Sequence, residues 1–330
     1  MSRGIQALTV AAALSLAACA SRPLVLPALM PQATAPVELR DTPFFPQAEF
    51  QCGPAALATV LNAAGVAVQP DNLVDQVYVP ARQGSLQVEL LAATRRAGRI
   101  PYPIEPTLSA LREELEAARP VLVLQNLGLD LLPVWHYAVV VGIDPVGDQV
   151  ILRSGVERRR QSRATAFLRS WKLADNWGMV VLRPGELPAR PTQQHLLKAI
   201  ALAEPMLSVG ARMRAYRTAL ERWPASVTAR FGYAHALHAA GELTAAEAGY
   251  REIVNQQPRH AAALNNLAAV LTDRGCHKQA RTVASRALAV AETDQPALVE
   301  PITETFRSLP ASSGDEDPCQ QVEDAVRSRK

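Results

Sequence analysis

The sequence predicts an α+β domain in its first half and an all-α helix-turn-helix array in its second. Three observations carry this. Apolar residues follow Cys52-Gly53-Pro54 at helical spacing, a β-branched run follows Trp135-His136, and like residues recur beyond Pro191 at a fixed interval. The length of 330 residues fits two domains at about 150 residues each. With 48% hydrophobic residues, each half can bury a core.

The net charge is +3 and the basic residues are spread along the chain, so no electrostatic footprint for nucleic acid is present. No glycine-rich phosphate loop and no His/Cys/Asp/Glu spacing suited to zinc occurs. Neither a cofactor nor a metal is expected.

The first segment, residues 1–18, reads as a lipoprotein signal peptide. Arg3 precedes an apolar stretch from Ile5 to Ala18, shorter than the roughly 20 residues a membrane-spanning helix needs. It ends in Leu16-Ala17-Ala18-Cys19, which resembles a bacterial lipobox. Cys19 is then the lipidated N-terminus, and acyl chains anchor it at about 0.8 kcal/mol per buried methylene. The alternative is an ordinary cleaved signal with a chance cysteine. Ala20 stands where an Asp would often mark inner-membrane retention, so the expected site is the outer membrane, facing the periplasm. Residues 19–40 contain Pro23, Pro27, Pro31 and Pro36, a spacing that predicts an extended tether.

Residues 41–185 form the α+β domain. Ala56, Leu57, Val60, Leu61 and Ala64 recur with helical period behind Gly53-Pro54, and proline is tolerated in a first turn. Cys52 therefore sits at a helix N-terminus, where the macrodipole and free N–H groups favour the nucleophilic thiolate. The only histidine of this domain after the cysteine is His136, which opens the strand pattern Trp135 to Asp144. A second strand, Gln149 to Arg153, follows a turn around Pro145–Asp148. A helix-borne Cys and a strand-borne His far apart in sequence make a papain-like arrangement. Trp135, Trp171 and Trp177 are expected in the core or the cleft wall. The run Arg158-Arg159-Arg160 is expected as a solvated loop.

Gln51-Cys52-Gly53-Pro54-Ala55-Ala56-Leu57, followed by His136-Tyr137-Ala138-Val139-Val140-Val141-Gly142, resembles the papain-like peptidases that process bacteriocins at double-glycine leaders. The resemblance covers about residues 40–185. It implies attack by Cys52, proton transfer by His136, and an oxyanion hole completed by an upstream glutamine. The family's glutamine lies six residues before the cysteine, where this chain has Pro46. Gln47 is the nearest candidate, and Gln51 is adjacent to the nucleophile. The family's Asp that holds the imidazole is absent. Pairing about a turn near residue 146 brings Ser154 to Glu157 opposite His136, so Ser154, or Glu157 in a shifted register, is the candidate orienter. Asp144 lies at the wrong end of its strand.

Residues 186–192 form a Pro-marked linker, and residues 193–292 form the array. Pro224 and Pro258, Ala229 and Ala263, Gly241 and Gly275, and Ala246 and Ala280 are each 34 apart (258 − 224). That is the tetratricopeptide period. Tyr216 to Leu220 aligns with Tyr250 to Val254, giving two clear repeats behind a degenerate one. Such arrays bind peptides or proteins on a concave face, or serve as an appendage packed on the first domain. Residues 293–330 are expected as a mobile polar tail. An exported compartment permits a Cys276–Cys319 disulfide, which leaves Cys52 as the free thiol.

The sequence thus predicts a cell-envelope cysteine peptidase acting on a peptide or protein substrate. Its repeats would recruit substrate or a partner. The alternative is a peptidase-like scaffold that binds without cutting.

Overall fold

The computed structural model describes residues 25–47 and 51–310. Cys19, with the rest of the expected signal peptide, and Cys319 lie outside them.

The first half begins with helix α1 (Val25–Leu29), strand β1 (Val37–Glu38), and helices α2 (Cys52–Ala63) and α3 (Asp71–Val77). A short ribbon of β2 (Tyr78–Val79) and β3 (Gly84–Ser85) follows, then α4 (Gln87–Arg96), β4 (Ile100–Pro103) and α5 (Leu108–Glu116). The main strands are β5 (Val121–Asn126), β6 (Trp135–Asp144), β7 (Gln149–Ser154) and β8 (Glu157–Arg163), closed by α6 (Ala164–Lys172) and β9 (Gly178–Leu182). The sheet runs β4-β9-β5-β6-β7-β8, with β1 added against β6. Its strand pairings among the described residues are antiparallel.

The continuous apolar runs of β5 and β6 follow from burial on both faces. Leu122, Val139 and Val141 pack beneath Leu57 and Leu61 of α2. Val123, Ala138 and Val140 face Phe167 and Trp171 of α6. Trp171 is core, Trp135 is 54% exposed, and Trp177 packs edge-on against Tyr137. Arg158-Arg159-Arg160 lies on strand β8, exposed, and not in a loop.

The expected tether is corrected from Val25 onward. Instead of an extended spacer, Val25–Leu29 is a helix with Leu26 fully buried. Asp148 Oδ1 accepts hydrogen bonds from the N–H groups of Val25 and Leu26 at 3.0 and 2.8 Å. Those are first-turn donors that a helix cannot satisfy itself, and Pro27 is tolerated because it too lies in that turn. β1 then pairs Val37 with Ile143.

The second half is helical: α7 (Gln193–Ala203), α8 (Val209–Arg222), α9 (Val227–Ala239), α10 (Leu243–Gln256), α11 (Ala261–Asp273), α12 (His277–Asp294) and α13 (Val299–Ser308). The 34-residue interval is visible in the packing. Ala229, Ala263, Ala246 and Ala280 are fully buried, so neighbouring helices approach closely. Ser226 Oγ and His260 Nδ1, also 34 apart (260 − 226), accept from the N–H groups of Ala229 and Ala263, each at 3.2 Å. Gly241 and Gly275 end their helices at φ of +78° and +80°, a conformation that penalises a side chain. Tyr216 on α8 and Tyr250 on α10 occupy matching buried places, which makes α7 and α8 the degenerate pair.

The expected polar tail begins as structure. Ile302 lies buried on α13, Phe306 packs one turn later, and Leu309, just past the helix end, is buried as well. Cys276 is disulfide-bonded. The array is joined to the sheet by a shared core: Leu196, Ile200 and Tyr216 belong to the same cluster as Ile100 and Tyr102 of β4 and Ile104 just after it.

Candidate active site

Cys52 is the first residue of α2, and Gly53 and Pro54 complete its opening turn. The preceding residue, Gln51, has φ −106° and ψ 32° and provides no side-chain cap, so the turn's N–H groups remain open to other acceptors. Gly53 is required here. A Cβ on it would lie 2.1 Å from Ser85 Oγ and 2.5 Å from Ser85 Cβ. The β2–β3 ribbon therefore leans directly on the helix that Cys52 opens, and Tyr137 Oη donates to the Ser85 carbonyl at 3.3 Å.

Gln47 reaches the site through a strap held by one buried side chain. Arg153, 4% exposed, donates to the carbonyls of Arg40, Thr42 and Arg158. The Gln47 N–H then donates to the Gly155 carbonyl at 3.1 Å. Gln47, Cys52 and His136 line one cleft of about 870 Å³, with Ser85, Trp135 and Tyr137 among its walls. Gln51 does not line that cleft.

His136 lies near the start of β6, opposite Gln125 of β5. Its Nε2 is 2.8 Å from Ser154 Oγ. A bulge produces this contact. Ile143 pairs with Val150 and Gly142 with Ile151, but between Gly142 and Val140 the register slips, and Val139 pairs with Arg153. A side chain's face alternates along a strand, so a one-residue slip exchanges faces. Without the bulge Ser154 would point away from His136. Glu157 sits across the turn from Ser154, exposed beside Arg160. Asp144 accepts from the N–H groups of Val146 and Gly147 in the β6–β7 turn.

The electrostatics depart from the expectation of a favoured thiolate. Burial pushes the Cys52 thiol above the ordinary cysteine value, although the backbone N–H groups of Tyr137, Gly53 and Cys52 itself act against it. Burial, with the charge of Arg160, pulls His136 down to about 4. Desolvation disfavours whichever form is charged, so the resting pair is a neutral thiol and a neutral imidazole. Among the described residues no hydrogen bond joins the two, and Cys52 is the free cysteine. No cluster of three or more His, Cys, Asp or Glu suited to a metal occurs among the described residues.

Three features were missed at the sequence level. The β2–β3 ribbon is too short to show a period. The role of Gly53 depends on a residue 32 positions away (85 − 53). Gln125 could have been found, because it and Asn126 end an otherwise apolar strand with two buried polar side chains.

The fold and this cleft define a papain-like cysteine-peptidase domain followed by a tetratricopeptide-like array. Residues 39–179 match the Peptidase_C39 like family. A putative C39-like peptidase from Bacillus anthracis is 15% identical, with 44% of this chain and 97% of that one covered and a TM-score of 0.38. The peptidase domain of Streptococcus ComA, a bifunctional ABC transporter involved in quorum sensing, is 19% identical over 43% of this chain and 98% of its own, with a TM-score of 0.36. The helical half is similar to the TPR2B domain of yeast Sti1, solved as a complex with pHsp70, at 16% identity over 35% of this chain and 90% of that one, with a TM-score of 0.31. No curated protein matches the sequence.

Proposed function

We propose that the protein is a cysteine peptidase of the bacterial cell envelope. The observation that carries this reading is the Ser154–His136 contact beside a cleft shared with Cys52. With Nε2–H donating to Ser154 Oγ, Nδ1 keeps its lone pair, and among the described residues it has no other partner. Nδ1 takes the Cys52 proton as sulfur attacks the scissile carbonyl carbon. The carbonyl oxygen becomes an oxyanion, held by the Cys52 N–H and the Gln47 side chain. Collapse expels the amine, which receives the proton from His136, and water then releases the acid from the thioester.

Starting from neutral partners, proton transfer accompanies attack and does not precede it. The array recruits the substrate or a partner to the cleft. Lipidation at Cys19 would hold the protein on the outer membrane, facing the periplasm.

A second reading is a peptide-binding scaffold. It is favoured by the raised Cys52 thiol and by a serine in place of a carboxylate beside His136. Mass spectrometry of a peptide library separates the two. New peptide termini should form with the intact protein and be absent with Cys52→Ala and with His136→Ala. Peptide binding without any thiol-dependent product would establish the scaffold instead.

A further inference from the structure

Beside His136 lies a second cavity of about 210 Å³, which shares His136 and Leu127 with the cleft. Its lining is polar and basic: Ser154 from β7, Arg160 and Ser162 from β8, Arg169 and Ser170 from α6, and Gln125 from β5. No carboxylate lines it. Four of its polar residues are more than nine-tenths buried, namely Gln125, Asn126, Ser154 and Ser170.

Three donors face this space without a full complement of acceptors. When His136 Nε2–H donates to Ser154 Oγ, the Ser154 hydroxyl proton has no acceptor among the described residues. The Arg169 guanidinium has no hydrogen-bond or ion-pair partner among the described residues. Arg160 has one loose, exposed partner, Glu157 at 3.5 Å. Gln125 Nε2 donates to Ser170 Oγ at 2.7 Å, and Ser170 in turn donates to the Phe167 carbonyl. These bonds fix the back wall. A buried hydroxyl and two guanidinium groups around an acid-free cavity match a ligand that only accepts hydrogen bonds and carries negative charge.

We propose that this cavity binds a small free oxyanion, of the phosphate, sulfate or carboxylate class, which activates the Cys52–His136 pair by accepting a hydrogen bond from the Ser154 hydroxyl. Arg160 and Arg169 hold the anion. Negative charge enters one hydrogen bond behind the imidazole, where this chain lacks an acid of its own. The imidazolium formed during attack is stabilised, and the positive field of Arg160, which now opposes it, is neutralised. The regulatory step rests on the peptidase reading above, whereas anion binding itself does not.

The charged and titratable groups around the ring are Arg160 on β8, Arg169 on α6, Cys52 on α2 and Tyr137 on β6, with Arg82 and Asp175 also lining the cleft. Two measurements on the full chain, with inorganic phosphate as the probe at constant ionic strength, separate binding from activation. In the first, the NMR titration of the His136 ring is followed with and without phosphate. Its midpoint should rise by about one pH unit or more, the usual effect of a nearby opposite charge. The shift should saturate with phosphate and disappear in Arg169→Gln, an exposed substitution on α6.

In the second, the Cys52 alkylation rate at pH 7 should rise several-fold over the same phosphate range. No saturable midpoint shift, or an equal shift in Arg169→Gln, overturns the anion site whatever the thiol does. A midpoint shift with unchanged alkylation keeps the site and removes its role as activator. An unreactive thiol at every pH and phosphate concentration counts against the peptidase reading and leaves the anion site standing.

Discussion

Replacing Gly53 with alanine tests how the helix that begins at Cys52 is seated. The added methyl would meet Ser85 Oγ at 2.1 Å and Ser85 Cβ at 2.5 Å, where carbon atoms rest about 3.5–4.0 Å apart. The ribbon must therefore withdraw by roughly 1–1.5 Å. Both partners are tied in place: α2 is buried along most of its length, and Tyr137 holds the Ser85 carbonyl. Overpacking of this kind costs about 1–3 kcal/mol. Alanine's better helix propensity offsets at most about 1 kcal/mol, so a net loss of about 1–2 kcal/mol is expected. Urea unfolding followed by tryptophan fluorescence should show a lower midpoint. The double variant Gly53→Ala/Ser85→Gly removes both clashing atoms and should recover most of the loss. A single variant as stable as the parent would refute the close approach. A double variant no better than the single one would show that Ser85 is not the obstacle.

Other outcomes follow from the same geometry. Ser154→Asp places an acid beside the imidazole and should raise the rate of Cys52 alkylation at neutral pH, whereas Ser154→Ala should lower it; equal rates in both would remove Ser154 from the site. Gln47→Ala should reduce kcat by about 10²-fold with little change in KM, as expected for an oxyanion donor, and an unchanged kcat would exclude it. His136 has a depressed value of about 4 in the fold against about 6.5 when unfolded. The unfolded chain therefore takes up the proton first, and this group's stabilising contribution, full above pH 6.5, falls away as pH drops towards 4. His136→Gln should flatten that part of the stability profile. Gly241→Ala and Gly275→Ala meet no atom within 4 Å of the new Cβ, so each should lose only the left-handed backbone cost, about 1–2 kcal/mol, read from urea midpoints.

Residues with strong local signals were legible. Cys52 announced its helix through Gly-Pro and the following apolar period, and the 34-residue interval placed Ala229 and Ala263 on packed helix faces before any coordinates. His136 was legible as a strand start, and counting back from the hairpin turn placed Ser154 near it, though not on its face. What escaped was non-local. The bulge that makes the hairpin pairing correct has no sequence mark, because Val140 and Gly142 read as ordinary strand. The helix at Val25 depends on Asp148, 123 residues away. Helix α13 was hidden inside a polar composition that its few apolar residues only just offset. The balance between helix-terminus attraction and burial at Cys52 could not be read at all, since both act through surroundings the sequence does not display.

The shared core of β4, α7 and α8 means that the array is not a swinging arm. Leu196, Ile200 and Tyr216 are as much part of the sheet's underside as of the repeats. Whatever the array holds is presented at a set distance and angle from Cys52. Under the proposed peptidase function it would work as a ruler: cleavage position would be fixed by the length of peptide between the bound segment and the cleft, in addition to the residues at the scissile bond.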